Sequence, residues 1–363
     1  MEATAISENI RRTRFYTFAT NLIDMSTSPI IKSFPLGFNW EVSNPFLFCV
    51  HHLDYYPRGN ADFGPNAPLT GRNIGQDFTP KDGWRMYHGT KVPGFPAHPH
   101  RGFETITIVL QGFVDHSDSH GQAGRYGMGD VQWMTAGTGL QHSEMFPLLN
   151  QQSENTLELF QVWLNLPKAR KHAEPHFKML WSEEIPIVNK QDESDKTTEI
   201  RLIAGQLDEV KAPAPSPDSW AADPANEVAI WLIKMEAGAQ WTLPAATDQT
   251  VRNLYCYQGE NIQVADRKIV KDQAFMLEAD QDVLLKNSGN EPALFMLLQA
   301  KPINEPVAHY GPFVMNTEAE LQQTFYDFQQ TQFGGWPWER HDQVHGKDAG
   351  RFAKYRDGRV EKP

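Results

Sequence analysis

Short runs of alternating polar and apolar residues, ended by glycine or proline, fill most of the chain between residues 28 and 316. The clearest run is TITIVLQG (105–112), in which threonine and isoleucine alternate before Gly112. A repeat of two residues places one face of a strand in a core, and the terminal glycine predicts a turn. The pattern therefore predicts an all-β fold.

The predicted strands fall into two series. The first includes PFLFCVHHLDYY (45–56), VQWMTAG (131–137) and LELFQVWLNLP (157–167). A charged segment, KARKHAEPH (168–176), separates it from the second series. The second series consists of VAIWLIKMEAG (228–238), LYCYQGE (254–260), QAFMLEAD (273–280), DVLLKNSG (282–289) and PALFMLLQAKP (292–302).

The two series echo each other weakly. IVLQG (108–112) and YCYQG (255–259) each end an apolar run on glycine, and a second run returns after a turn. We interpret this echo as a duplicated antiparallel β-barrel. One barrel is predicted in residues 28–170 and the other in residues 171–316.

The two ends of the chain differ from this pattern. Residues 1–27 lack the apolar stretch of a secretory signal and are predicted to form a flexible extension. Near the other end, Thr317 followed by Glu320 is a capping-box pattern that predicts the start of a helix. The apolar residues of 317–333 recur at helical spacing. We expect residues 317–363 to form a short helix and a mostly irregular tail, both packed on the barrels.

The composition narrows the class of protein. The chain has 363 residues, with 45 acidic and 33 basic side chains and a formal net charge of −12. This balance disfavours a nucleic-acid partner. No apolar run is long enough to span a membrane. The cysteines, Cys49 and Cys256, are predicted to be buried free thiols, as is typical of a reducing compartment. We therefore expect a cytoplasmic protein.

Two pairs of potential metal ligands lie between residues 98 and 144. His98 and His100 form one pair, and His142 and Glu144 form the other. On a strand, residues two apart share a face and lie roughly 7 Å apart. If the two strands are neighbours, four ligand groups converge on one inward face. The alternative is that these are surface histidines near the ends of loops.

Three imidazoles and one carboxylate form a ligand set that suits Fe, Mn, Ni or Zn. The pairs therefore predict a divalent metal site in the first barrel. No histidine occurs between His176 and His309. The second series of strands therefore cannot supply a histidine-based site, and the second barrel is predicted to be free of metal.

Several elements near these pairs have open roles. The long loop 57–95 is rich in glycine, proline and asparagine, which is typical either of a lid or binding element or of an inert surface loop. His51 and His52 are extra candidate ligands, but we expect them to pack or hydrogen-bond near the barrel mouth. His116 and His120 are expected to face solvent.

Three segments of the chain resemble the pirin family of the cupin superfamily. They are HPHRGFET (98–105), GDVQWMTAGTGLQHSEM (129–145) and GPFVMNTEAELQQTFYDFQQTQFGGW (311–336). The likeness extends from about residue 30 to about residue 340. It departs from compact pirins in the longer segment before GWRMYHG, so the substrate of this chain does not follow from the likeness alone.

The resemblance implies a bicupin, with two stacked cupin-type barrels, metal only in the N-terminal one and a short C-terminal helix. Pirins bind iron through three histidines and one glutamate. By motif these fall on His98, His100, His142 and Glu144, the residues that the spacing selects. Other cupins often take their glutamate ligand from the position of Glu104. In a pirin-like site we expect Glu104 behind the ligands or in the pocket instead.

Two functions are open at this stage. The first is a metal-dependent dioxygenase of flavonol-like, quercetin-type aromatic substrates, because a partly open divalent metal attracts an anionic oxygen donor. Fe(II) is the expected metal, with Mn, Ni, Zn or Co as alternatives. Glu144 would accept the hydroxyl proton, and Trp133 and Phe103 are candidates for an aromatic wall. The second is a redox-sensing regulator that binds a protein partner according to the oxidation state of its iron.

Overall fold

The computed structural model of the chain describes residues 28–269 and 271–363. The predicted N-terminal extension, residues 1–27, lies outside the described residues. Strands are the main regular structure of the described residues, which also contain one α-helix, α1 (Glu318–Thr331), and short 3-10 turns. The predicted all-β fold with a short C-terminal helix is therefore confirmed.

The strands of the first half begin after residue 29. They are β1 (Ile30–Pro35), β2 (Phe46–Tyr56), β3 (Gly94–His100), β4 (Phe103–Gln111), β5 (Phe113–Asp118), β6 (Ala123–Gly127), β7 (Val131–Thr135), β8 (Leu140–Met145), β9 (Asn155–Asn165) and β10 (His176–Leu180). The first predicted apolar runs coincide with β2, β4, β7 and β9. Alternation in the sequence therefore located the central strands of this half.

The strands of the second half continue the series. They are β11 (Ile187–Gln191), β12 (Thr197–Ala204), β13 (Gln206–Leu207), β14 (Val210–Lys211), β15 (Ala229–Met235), β16 (Gln240–Leu243), β17 (Val251–Gln258), β18 (Ile262–Val264), β19 (Arg267–Ile269), β20 (Gln273–Leu277), β21 (Val283–Asn287) and β22 (Ala293–Ala300). Four short strands follow near the C terminus: β23 (Ala308–Tyr310), β24 (Phe313–Met315), β25 (Phe352–Lys354) and β26 (Val360–Glu361).

Most of these strands form two units of two sheets each, and β13-β14 and β23-β24 form two separate two-stranded sheets. The first unit pairs a five-stranded sheet, β10-β7-β4-β9-β2, with a six-stranded sheet, β26-β25-β6-β5-β8-β3. The second unit pairs a seven-stranded sheet, β1-β20-β17-β22-β15-β12-β11, with a four-stranded sheet, β16-β21-β18-β19. The predicted arrangement of two related β units is confirmed.

The pairing schemes of the units match strand for strand. In the first unit β9 lies between β2 and β4, and β8 lies between β3 and β5. In the second, β22 lies between β15 and β17, and β21 lies between β16 and β18. All of these pairs are antiparallel. The weak internal echo in the sequence thus corresponds to a repeated strand topology.

Three strands pair across the predicted division at residue 170. β1 pairs with β20 of the second unit, and β10 pairs with β7 of the first unit. The tail returns to the first unit, where β25 pairs with β6 and fully buries Ala353. The tail is therefore more ordered than the sequence predicted. The division at residue 170 stays a prediction, and these crossing strands tie the two halves together.

A shared core joins the two units. Trp40 stacks on Tyr255 with ring centroids 4.9 Å apart, and the same cluster includes Phe160 of the first unit. Cys49 also lies in this cluster, and both cysteines are buried and free, as predicted. Burial of this much aromatic surface holds the units in a fixed relation.

The helix packs beside the first unit. Its N-cap, Thr317, accepts from the backbone of Glu320, whose carboxylate accepts from the backbone of Thr317. The predicted capping box is therefore confirmed. Asp327 on the helix accepts from Arg101 at 2.7 Å, one residue beyond β3. The helix thus anchors the end of the strand that carries His98 and His100.

Candidate metal centre

Three histidines meet where β3 and β8 pair. His98 lies directly opposite His142 in the antiparallel register, and His100 follows His98 on the same face. Nitrogen atoms of the three side chains lie within 4.8 Å of one another. The ring centroids are 4.5 to 4.9 Å apart. The three imidazoles that the spacing argument selected therefore lie together, and we call them the histidine cluster.

The cluster is electrostatically suited to a cation. Burial lowers the pKa of His98 to about 4. Burial, followed by the neighbouring imidazoles, also holds the pKa of His100 and His142 well below the usual range. Each ring is therefore neutral at physiological pH and keeps one nitrogen lone pair. Metal binding requires neutral imidazole.

The hydrogen bonding of the cluster leaves donor atoms free. Nδ1 of His98 lies 2.9 Å from the carbonyl of Pro96, which leaves Nε2 available. Within the described ranges, neither ring nitrogen of His142 has a hydrogen-bond partner. Buried polar atoms without partners are costly and need an explanation. A divalent metal held by the three imidazoles would take the lone pair of one of these nitrogens, so the three residues fit the metal that the sequence predicted.

Glu144 lies beside the cluster. Its Oε2 is 3.9 Å from Nε2 of His142. Three side chains donate to its carboxylate: Thr107 at 2.8 Å, Gln161 at 3.2 Å and Tyr126 at 3.3 Å. Burial raises the pKa of Glu144, and these donors oppose the rise. The carboxylate is thus held in place near the histidines, while its role as a fourth ligand stays a prediction.

The cluster opens into a cavity of about 140 Å³ between the two sheets of the first unit. Its polar lining consists of His52, His98, His100, Thr107, Glu144 and Gln161. Its aromatic lining consists of Phe38, Phe48, Phe78, Phe95, Phe146 and Trp163. A volume of this size is comparable to a cavity that holds a benzene ring. The arrangement can therefore hold an aromatic ring against the histidine cluster.

The aromatic wall differs from the one predicted. Trp133 lies in the core shared by the two units, and Phe103 packs on Trp163 and His100 from behind the cavity. Phe48 and Trp163 form the wall instead, directly opposite each other on β2 and β9. The alternation of β2 and β9 in the sequence could have identified both residues. Phe48 shares the inward face of β2 with His52, and Trp163 shares the inward face of β9 with Gln161.

Among the described residues, Glu104 neither lines the cavity nor hydrogen-bonds the histidine cluster, so neither position expected for it is found. Glu104 and Thr107 are three residues apart on β4, so their side chains lie on opposite faces of the strand. Thr107 faces the cavity, and Glu104 therefore faces the second unit. There it accepts from Thr135 at 2.7 Å and from Ser219 of the second half. Burial raises its pKa to about 7. Glu104 therefore belongs to the contact between the units.

The other histidines take varied positions. His52 lines the cavity and contacts Tyr87, and His51 faces away and pairs with Glu158 at 3.1 Å. Both agree with the expected packing and hydrogen-bonding roles. His116 is wholly buried and stacks on Phe177, so the expectation that it faces solvent is wrong. Strand pairing of β5 between two neighbours buries it.

The loop predicted over residues 57–95 contributes to the site. Phe78 lines the cavity, and Tyr87 hydrogen-bonds His52. The binding-element interpretation therefore describes this loop better than the inert one.

Among the described residues, no helix is long and apolar enough to cross a membrane.

Comparison with protein families gives two matches, in different parts of the chain. The model described as "Pirin" matches residues 73–164. The model described as "Pirin C-terminal cupin domain" matches residues 230–334. The first match contains the histidine cluster, and the second covers most of the second unit.

Individual proteins give consistent results. A Pseudomonas aeruginosa protein named "Putative quercetin 2,3-dioxygenase PA2418" is 35% identical over 290 residues, which is 80% of this chain and 86% of that relative. Human pirin is 34% identical over 253 residues, which is 68% of this chain and 80% of pirin. A crystal structure of quercetin 2,3-dioxygenase from Acinetobacter baumannii has a TM-score of 0.65 and 26% identity, and the match covers 85% of this chain and 99% of that one.

Proposed function

The chain belongs to the pirin family, and from this premise we propose that it is a metal-dependent dioxygenase of flavonol-like, quercetin-type aromatic substrates. The observation that carries the proposal is the aromatic cavity that ends on the neutral histidine cluster beside Glu144. The names of the Pseudomonas and Acinetobacter relatives support the same reaction class.

His98, His100 and His142 would hold the metal, with Glu144 as the fourth ligand. Fe(II) is the metal we propose, because mixed imidazole and carboxylate ligands suit it and it reacts with dioxygen. When bound, the metal would supply a Lewis acid for a substrate hydroxyl and a redox partner for O₂. The neutral imidazoles leave the positive charge of the ion largely uncompensated, which favours an anionic oxygen donor.

Glu144 would move the proton. Its carboxylate lies in the cavity wall beside the cluster and would accept the substrate hydroxyl proton at Oε2. Thr107 and Gln161 donate to its two oxygens and would keep it oriented during the transfer.

The cavity walls would place the ring and exclude water. Phe48 and Trp163 form one aromatic surface, and Phe95 and Phe146 form part of another. Planar aromatic substrates gain both apolar burial and ring contacts from such walls. A dry site also strengthens the electrostatic contribution of Glu144 and of the bound ion.

Oxygen uptake by the purified full-length chain tests the proposal. Protein loaded separately with Fe(II), Mn, Ni, Zn and Co is mixed with quercetin and with related flavonols. We expect uptake with Fe(II), and a fall of about 100-fold in kcat for Glu144→Gln, which keeps the size but loses the carboxylate that would serve as ligand and base. Absence of uptake with every metal and flavonol would remove the dioxygenase proposal. The regulatory alternative has no separate support among the described residues and stays a prediction.

A further inference from the structure

One polar side chain in the cavity stands apart from the metal centre. His52 lines the cavity and is 3% exposed. The other polar lining residues either form the histidine cluster or hydrogen-bond Glu144 directly. Within the described ranges, His52 has no hydrogen bond to that set. The proposed function leaves this histidine without a role.

A buried relay fixes the ring of His52. Its Nδ1 lies 2.8 Å from the hydroxyl oxygen of Tyr87. The same hydroxyl donates to Oδ2 of Asp54 at 2.6 Å. Two nitrogens of Arg85 also donate to the Asp54 carboxylate, at 2.9 and 3.1 Å. This bidentate ion pair keeps Asp54 as an acceptor.

The relay selects one tautomer of His52. A phenol has a single proton, and Tyr87 gives it to Asp54. The contact between Tyr87 and His52 must therefore use a proton on Nδ1. In the neutral ring, Nε2 then carries the lone pair. No hydrogen-bond partner for Nε2 is found in residues 28–269 and 271–363, so the cavity is left with a fixed acceptor.

The backbone of Tyr87 indicates that this placement is specified. Tyr87 has a φ of 56°, in the left-handed region that bulky residues rarely adopt. Its amide and carbonyl both pair with Asp77, at 3.0 and 2.9 Å, which holds the strained turn. Strain of this kind persists where the surroundings fix it, often at binding sites. The loop before β3 thus delivers the hydroxyl that orients His52.

Strand register places His52 relative to Glu144. Val50 on β2 lies opposite Gln161 on β9, which donates to Glu144. His52 is two residues further along β2 on the same face. His52 is therefore on the order of 7 Å along the strand from the Val50–Gln161 pair that lies beside the Glu144 carboxylate. A substrate with hydroxyls on two different rings can span that distance.

We propose that His52 is a specificity-determining residue, whose Nε2 accepts a hydrogen bond from a second hydroxyl of a polyhydroxylated aromatic substrate. This inference rests on the proposed function, because it assumes that one substrate hydroxyl faces the histidine cluster. Tyr87 acts as a positioning residue that keeps the acceptor turned toward the cavity. The site thereby favours polyphenols over aromatic rings with a single hydroxyl.

Anaerobic binding tests this role without turnover. Fe(II)-loaded full-length protein is titrated with quercetin and with 3-hydroxyflavone, which keeps only the hydroxyl of the reacting ring position. Quenching of tryptophan fluorescence reports Kd, since Trp163 lines the cavity. We expect His52→Leu to weaken quercetin binding about 3- to 10-fold, the size expected for one hydrogen bond, and to leave 3-hydroxyflavone unchanged.

Three further variants refine the test. His52→Gln keeps an acceptor and should recover part of the preference for quercetin. Tyr87→Phe should reduce the preference, because the tautomer is no longer fixed. His51→Gln is the matched control, since its side chain faces the opposite side of the same strand, and it should keep the wild-type ratio of Kd values. Circular dichroism and metal content verify that each variant is folded and loaded.

The outcomes separate the two proposals. Loss of the quercetin preference in His52→Leu supports the role of His52, even if the wild type takes up no oxygen and the dioxygenase proposal fails. An unchanged ratio of Kd values in His52→Leu overturns the role. Equal weakening of both ligands overturns it as well, because that result reports lost packing. Failure of the wild type to bind either flavonol also overturns it.

Discussion

Equivalent strand pairs in the two units present different side chains to the interior, polar in the first unit and apolar in the second. In the first unit, β3 and β8 place His98 opposite His142. In the second, β16 and β21 place Trp241 opposite Leu285 and Leu243 opposite Val283. The strand schemes match, so the backbone does not decide which unit can hold a metal. The inward-facing side chains decide it.

The two interiors also differ in what they contribute to folding. The interior of the second unit is an apolar cluster that includes Leu243, Leu285 and Phe295, all fully buried. In the first unit, comparable space holds neutral imidazoles and a carboxylate. Burial of polar groups costs free energy, whereas burial of apolar groups contributes it. We infer that the apolar interior of the second unit stabilises the fold, which offsets the cost of burying the polar groups of the metal centre in the first unit.

The largest expected effect comes from removing one imidazole of the cluster. His142→Ala should abolish stoichiometric metal, and with it oxygen uptake, because loss of a ligand exceeds the roughly 10- to 100-fold cost of losing an outer hydrogen-bond partner. Elemental analysis of the purified protein measures this. His172→Ala, at an exposed position, is the control. Retention of stoichiometric metal in His142→Ala would show that the ligand assignment is wrong.

The matched change in the second unit should affect stability instead. Leu285→Ala removes a fully buried side chain and leaves a cavity, which should lower the free energy of unfolding by about 2–5 kcal/mol. The metal content of the folded variant should stay at the wild-type value. Urea unfolding and elemental analysis measure the two quantities. Loss of metal in this variant would contradict the division of roles between the units.

The contact between the units should depend on pH. Burial raises the pKa of Glu104 from 4.5 to about 7, a difference equivalent to about 3 kcal/mol. The native state thus binds the proton more tightly than the unfolded state. The associated stability is present below pH 4.5 and is lost as the pH rises through about 7.

Glu104→Gln tests this pH dependence. The neutral amide keeps the shape of the side chain and cannot ionise, so the loss of stability between pH 5 and pH 8 should be smaller in the variant than in the wild type. Urea unfolding at both values measures the difference. Equal pH dependence in the two proteins would mean that other groups are responsible.

The smallest expected effect lies outside both interiors. Thr317→Ala removes the side chain that caps α1 and should cost about 1 kcal/mol of unfolding free energy. Thr317→Ser, which keeps the hydroxyl, should cost less. Neither should change the metal content. A change in metal content would show that the helix does more than anchor Arg101 at the end of β3.

The sequence by itself determined the central strands, the helix cap and the three histidines. Local rules suffice for these features: alternation predicts a strand face, and residues two apart on a strand must share that face. The absence of histidine between His176 and His309 in the sequence likewise settled that the second unit has no histidine cluster of its own. None of these conclusions depends on how distant segments meet.

Tertiary structure decided which side chains share a space. Glu104 faces the second unit, and Phe48 and Trp163 replace Trp133 and Phe103 as the cavity wall. The parity of each strand relative to its neighbours sets these positions, and a shift of one residue would reverse them. The relay behind His52 joins β2 to the loop before β3, through residues 31 to 35 apart in sequence. Such contacts follow from chain packing, on which the alternation of a single strand carries no information.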